Sequence, residues 1–99
     1  MKTFGWDEDK NQKLKAERGI SFEQVVFCIE NDMLLDVIEH PNPEKYNKQK
    51  IYVIEINNYA YLVPFVDQND TRFLKTIFPS RKYSKLYLIR EKNDDKPRQ

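Results

Sequence analysis

Apolar residues in the second half of the chain come in runs broken by short polar turns. Ile51–Ile56 and Tyr59–Val66 flank Asn57-Asn58, and Thr71–Phe78 follows Asp67-Gln68-Asn69-Asp70. Runs joined in this way predict an antiparallel meander. Asparagine tolerates positive φ, so Asn57-Asn58 suits a primed two-residue turn. Along the first of these strands Tyr52, Ile54 and Ile56 share one face, and Ile51, Val53 and Glu55 the other. Both faces are mostly apolar, as expected of an interior strand covered on both sides. Pro64 cannot donate to a ladder, which predicts an edge position or a bulge there. In the last strand Phe73, Lys75 and Ile77 alternate with Arg72, Leu74, Thr76 and Phe78.

The first half reads differently. Thr3–Trp6 fits a short edge strand with Phe4 and Trp6 on one side. Asp7 is an N-cap, followed by Glu8 and Asp9 in the first turn of a helix that runs to about Arg18, with Gly19 at its C′ position. Leu14 and Ala16 are almost its only apolar residues, so a surface helix is expected. Ser21-Phe22-Glu23-Gln24 is a capping box, with Ile20 and Val25 spaced for a hydrophobic staple. Phe22, Val25, Val26 and Ile29 then follow helical spacing toward the sheet, and Asn31-Asp32 ends the helix. Met33–His40 alternates as a strand, Leu35, Val37 and Glu39 against Leu34, Asp36, Ile38 and His40, and Pro41-Asn42-Pro43 stops it. The polar loop 41–49 carries Lys45, Tyr46 and Lys48, and serves as a substrate lip or simply as a connection. At the other end Ser80 caps a final helix over about Arg81–Arg90, in which Leu86 and Ile89, with Tyr83 or Tyr87, pack inward.

The fold class that follows is α+β: a short N-terminal strand plus about four strands in an antiparallel meander, two N-terminal helices against it, and a short C-terminal helix. Residues 1–92 form one domain and 93–99 a disordered polar tail. No apolar run approaches the ~20 residues of a membrane span, and the N-terminus lacks the apolar core of a signal peptide. The lone Cys28 permits no internal disulfide. A reducing, cytoplasmic home is the reading. Between Phe27 and Ile29, Cys28 fits a small buried thiol better than a nucleophile.

Charge changes the picture more. Residues 1–40 carry five Lys/Arg and nine Asp/Glu, whereas residues 41–92 carry ten and five. From Thr71 to Arg90 there are six basic residues and no acidic one. A polyanion is expected on the basic half. His40 is the only histidine and Gly5 and Gly19 the only glycines. These counts demote zinc sites, phosphate loops and serine triads. What remains is Lys, Arg and Tyr, which suit gripping RNA phosphate and stacking on unpaired bases. If a site aligns the RNA 2′-hydroxyl with the next phosphorus, the RNA supplies its own nucleophile. The protein then needs positioning, cations and a base, either a desolvated lysine or Glu55, and no cofactor or metal.

The ordered set Phe4-Gly5-Trp6-Asp7-Glu8-Asp9-Lys10, then Lys15-Ala16-Glu17-Arg18-Gly19-Ile20-Ser21-Phe22-Glu23, resembles the BrnT toxins, whose pattern is roughly F-x-W-D-x-x-K followed by K-H-G-V/I-S-F-E. Phe73–Arg81 with Lys82 is similar to that family's R-I-I-S-A-R-R segment. The resemblance implies a RelE-like fold and a toxin of a type II toxin–antitoxin system. It implies an endoribonuclease that cleaves mRNA and blocks translation, neutralised by a BrnA-like antitoxin with a DNA-binding domain, in an oligomeric complex that represses its own operon. By that match Arg81 takes the place of the arginine in S-A-R, Lys75 that of a basic residue on the preceding strand, and Lys50 that of a family arginine. Lys85 and Tyr87 match the closing segment's basic and tyrosine residues. Arg18 stands in place of the family's histidine, and Pro79 in place of the serine. Lys50, Lys75, Arg81, Lys85 and Tyr87 are the candidate catalytic residues; Lys48, Arg72, Lys82 and Tyr83 are the candidate RNA-binding residues. The alternative is a non-catalytic binding partner that pairs with a DNA-binding antitoxin and co-regulates transcription.

Overall fold

A computed structural model describes residues 3–39, 42, 44–45 and 49–89. The elements run β1 (Thr3–Trp6), α1 (Glu8–Arg18), α2 (Phe22–Glu30), β2 (Leu34–Glu39), β3 (Gln49–Ile56), β4 (Tyr59–Gln68), β5 (Thr71–Leu74), β6 (Phe78–Pro79) and α3 (Arg81–Ser84), the last continued by a π-turn over Lys85–Ile89. The fold is α+β. The strands form one sheet in the order β1-β5-β4-β3-β2, with β6 also paired to β4. All pairs are antiparallel except β1 with β5, which makes the sheet mixed.

Local chemistry explains most boundaries. Asp7 accepts from the Asp9 N–H, and Gly19 closes α1 at φ 68°, ψ 23°, donating its N–H to Lys15 O. The capping box at α2 is complete, since Ser21 Oγ accepts from Gln24 N–H and Gln24 Oε1 from Ser21 N–H. Asn57 and Asn58 both have positive φ (55° and 65°), as a primed hairpin turn between β3 and β4 requires.

The two faces of β3 feed two cores. Tyr52, Ile54 and Ile56 join Val63, Phe65, Leu74 and Ile77 under α1 and α2, which contribute Leu14, Phe22, Val25 and Cys28. Ile51 and Val53 join Ala60 and Leu62 on the opposite face, where Tyr83, Tyr87 and Leu88 cover them. Each fully buried Leu, Ile, Val or Phe stabilises by ~1.5–3 kcal/mol. Asn11, at 0 % exposure, is one of two buried polar residues among those described, with Ser84. Its Oδ1 accepts from Phe22 N–H (2.8 Å) and its Nδ2 donates to Glu23 (2.9 Å), which rivets α1 to the start of α2.

Three expectations are corrected. The strand expected over Thr71–Phe78 breaks after Leu74 and resumes at Phe78. Phe65 pairs with Leu74 but Leu62 pairs with Phe78, so the 75–77 segment carries one residue more than its partner. Lys75 N–H donates to Pro64 O (2.8 Å), and the reciprocal bond is impossible because proline has no N–H. The alternation expected across Met33–His40 slips at Leu35. Leu34 pairs with Ile54 and Asp36 with Val53, so Leu35 is a bulge and Leu34 and Leu35 reach opposite cores. The closing helix has only four α-helical residues before it widens into the π-turn, and this leaves Leu86 38 % exposed while Ser84 is buried. Ser84 turns inward because its Oγ accepts from the otherwise unpaired Ala60 N–H (2.7 Å). His40, Tyr46, Arg90, the tail 93–99 and the side chain of Ile89 lie outside the described residues.

Candidate nucleic-acid interface

Seven of the candidate residues fall into two groups on opposite faces of the sheet. Arg72 and Lys50 lie on the α1/α2 face, beyond the cover of the helices. Tyr52 and Phe65 stack there with ring centroids 4.1 Å apart, and the Arg72 guanidinium lies 5.4 Å over Phe65. Arg72 donates to Tyr52 Oη and, from Nε, to Asp67 Oδ1 (3.0 Å). This arginine is therefore already committed to an aromatic and a carboxylate. Lys50 is exposed, paired across the ladders with Glu39 on one side and Phe65 on the other.

The second group sits on the closing segment, against the other face. Ser80 accepts from Tyr83 N–H and starts α3, so Arg81 and Lys82 leave the first turn toward solvent. Tyr83 and Tyr87, one helical turn apart, stack at 6.1 Å and 15°. Lys82 Nζ lies 5.4 Å over the Tyr83 ring, and Lys85 is exposed nearby in sequence. Tyr87 Oη donates to Asp36 Oδ2. That bond, with a second from Val37 N–H, holds the Asp36 carboxyl below the usual carboxylate range. Glu55, opposite Ala60 in the ladder, shares this face by register. Lys75 stands apart, its Nζ 5.5 Å over Phe73. Lys48 lies outside the described residues.

One cationic feature escaped the sequence reading. Lys10, Lys13 and Arg18 line a cleft of about 120 Å³ between α1 and the 76–78 segment, together with Glu17, Thr76 and Phe78. Arg18 Nη1 donates to Ile77 O (2.9 Å), so the guanidinium braces the chain where it leaves β5. The signal was present as a stripe, since Lys10, Lys13, Leu14, Glu17 and Arg18 share one face of a 3.6-residue period.

No family model matches the chain, and neither does any curated protein or solved structure. The geometry therefore stands by itself. Among the described residues no helix is long and apolar enough to cross a membrane. Cys28 is buried, and burial, helped by the Glu55 charge, pushes its thiol up and away from the nucleophilic thiolate. What the closing segment offers is cations beside a π-face, the combination that single-stranded RNA uses.

Proposed function

We propose that the chain binds single-stranded RNA along its closing segment and cleaves it without a metal, as an mRNA endoribonuclease toxin of a type II toxin–antitoxin pair. The observation that carries this reading is the Tyr83–Tyr87 stack flanked by Lys82, Arg81 and Lys85. A base stacks against this tyrosine pair, and the cations take the flanking phosphates. The 2′-hydroxyl then attacks the adjacent phosphorus, a cyclic phosphate forms as the bond from phosphorus to the 5′-oxygen breaks, and that oxygen takes a proton from water. Arg81 and Lys85 stabilise the added charge on the phosphorane oxygens. Glu55 or a lysine takes the 2′-proton. Tyr87, bonded to Asp36, is held in place for stacking. A BrnA-like antitoxin and a cytoplasmic setting belong to this reading.

A direct test incubates the purified protein with a single-stranded RNA in the presence of a chelator, and follows induced expression in bacteria. Fragments with cyclic-phosphate ends and growth arrest are expected. Arg81→Ala is expected to lower cleavage about a hundredfold, the scale of one lost oxyanion contact. Intact RNA, or arrest that survives both Arg81→Ala and Lys85→Ala, would refute the assigned roles.

One observation favours the second reading, a non-catalytic partner of a DNA-binding antitoxin. The candidate cations are divided between two sheet faces, and Arg72 is already paired with Asp67. RNA left whole by the pure protein, together with a tight antitoxin complex that retards operator DNA, supports that reading.

A further inference from the structure

α1 carries positive charge where the fold does not reward it. Lys10 is its third helical residue, where the helix dipole favours acids, and Lys13 stands one turn on as a like charge. Both effects oppose the helix. Glu17 follows Lys13 at the i+4 position, yet no ion pair joins it to either lysine among the described residues. Elsewhere cations are matched, Lys15 with Glu23 and Arg72 with Asp67. Lys10, Lys13 and Glu17 line the cleft between α1 and the 76–78 segment, together with Arg18 and Thr76. Arg18 is held there by its bond to Ile77 O, and its other guanidinium donors have no partner among the described residues. The Thr76 hydroxyl has none among them either. Leu14 and Ile77 complete the wall and are buried, so charges at the cleft are screened less than on open surface.

We infer that this cleft holds the dianionic group of a phosphate monoester. Three cations and one carboxylate line it, a net of +2. A monoester carries about −1.5 to −2 near neutral pH, whereas a carboxylate or an internal phosphodiester brings a single charge. Size decides what else enters. Pockets for whole ligands start at about 300 Å³. A cleft of about 120 Å³ admits the phosphate group and leaves the body of its molecule outside. A nucleotide or an RNA end presents the group in that way, and free phosphate presents the same chemistry. Arg18 supplies a planar fork already fixed in place, the lysines supply mobile point charges, and Thr76 a hydroxyl donor. Lys10 and Lys13 also border a second hollow with Asp7 and Asp9. Asp7 uses its Oδ1 to cap α1, and no ion pair crosses that hollow among the described residues. None of the candidate RNA residues lines the cleft, so phosphate binding here is independent of RNA cleavage.

The test titrates the purified chain with inorganic phosphate, uridine 5′-monophosphate, uridine and acetate at constant ionic strength, followed by amide chemical shifts and calorimetry. Shifts confined to residues 10–18 and 76–78 are expected with both phosphates, and none with uridine or acetate. Lys10→Gln combined with Lys13→Gln is expected to weaken phosphate about tenfold, the scale of one lost hydrogen bond to a charged group. Its melting temperature should not fall, because neither lysine has a partner in the described fold. Equal affinity for the two phosphates supports the group alone as ligand, and tighter binding of the nucleotide supports a nucleotide or an RNA end. Acetate bound as tightly as phosphate, shifts centred on residues 81–85, or a double variant that binds phosphate like the native chain would overturn the proposal.

Discussion

Asn11→Ala is the most informative single change to the fold. Asn11 is fully buried and accepts the Phe22 N–H, one of the donors at the start of α2 that has no partner within its own helix. Alanine leaves that donor buried and unpaired, at ~1–3 kcal/mol. The small void left by the missing amide brings the expected loss to ~2–3 kcal/mol. The Glu23 contact adds little, since that carboxylate is exposed. For a chain of this size, ~2 kcal/mol lowers the melting temperature by ~8–16 °C. In urea, with a slope of ~1–1.5 kcal/mol per molar, the midpoint falls by ~1.5–2 M at unchanged slope. Trp6 is the natural probe, because it is the only tryptophan and stacks on Phe22 at 5.7 Å.

Asn11→Asp separates the two halves of the rivet. Its carboxylate still accepts from Phe22 N–H, but it faces Glu23 with a like charge. The loss at neutral pH reflects a buried charge beside a like one, and it shrinks as pH falls through the carboxylate range. In the native chain the Asn11 bond, foremost, holds the Glu23 carboxyl below its ordinary value. A lowered carboxyl stabilises the fold above its unfolded pKa, and that increment is lost as pH falls through the folded one. An Asn11→Ala variant within ~0.5 kcal/mol of the native chain would show that the Phe22 N–H finds another partner, and the reasoning would fail.

Other expected outcomes are quicker to state. Gly19→Ala places a side chain at φ 68° with nothing within 4 Å of the new Cβ, so the cost is conformational alone, ~1–2 kcal/mol of unfolding free energy by urea titration. Ser84→Ala orphans the buried Ala60 N–H and should cost ~1–3 kcal/mol, with faster amide exchange across residues 80–88 than elsewhere. Tyr87→Phe removes the main cause of the depressed Asp36 carboxyl, so its titration by carbon NMR moves up toward the ordinary value, and stability depends less on pH on the acid side.

Much of this was legible because it is local. Asp7, Gly19, Ser21 with Gln24, and Asn57-Asn58 each act within four residues, and each does what its side chain dictates. The two-faced apolar pattern of β3 likewise announced a sheet covered on both sides. The parallel β1–β5 pair was not legible, because it joins Thr3 to Thr71 with no local signal at either end. Nor was the burial of Asn11, whose partner lies on another helix. At the candidate site, the expectation that Tyr83 or Tyr87 turns inward did not extend to their pairing, although residues four apart on a helix lie one above the other. Strand alternation set Arg72 apart from them, and the reading had weighed charge without face.

The junction between β5 and α3 depends on what holds the extra residue at 75–77. Pro64 is the obvious cause, since Lys75 can donate to its carbonyl but receive nothing back. Magnitudes argue otherwise. Pro64→Val would restore one ladder bond, worth ~0.5–1.5 kcal/mol net. Straightening the strand to use it would pair Leu62 with Ile77 in place of Phe78, and so turn Ile77 out of the helix-side core where it is 0 % exposed. Losing that burial costs ~1.5–3 kcal/mol. The Arg18 bond to Ile77 O and the Ser80 N–H bond to Ala60 O (2.9 Å) would go with it. Burial therefore outweighs the ladder: proline permits the bulge, and Ile77 holds it. Pro64→Val is expected to keep the amide shifts of residues 76–81 near their native values, whereas Ile77→Ala disperses them. The opposite pattern would make proline the cause, and would tie the position of Arg81 to a missing hydrogen on the neighbouring strand.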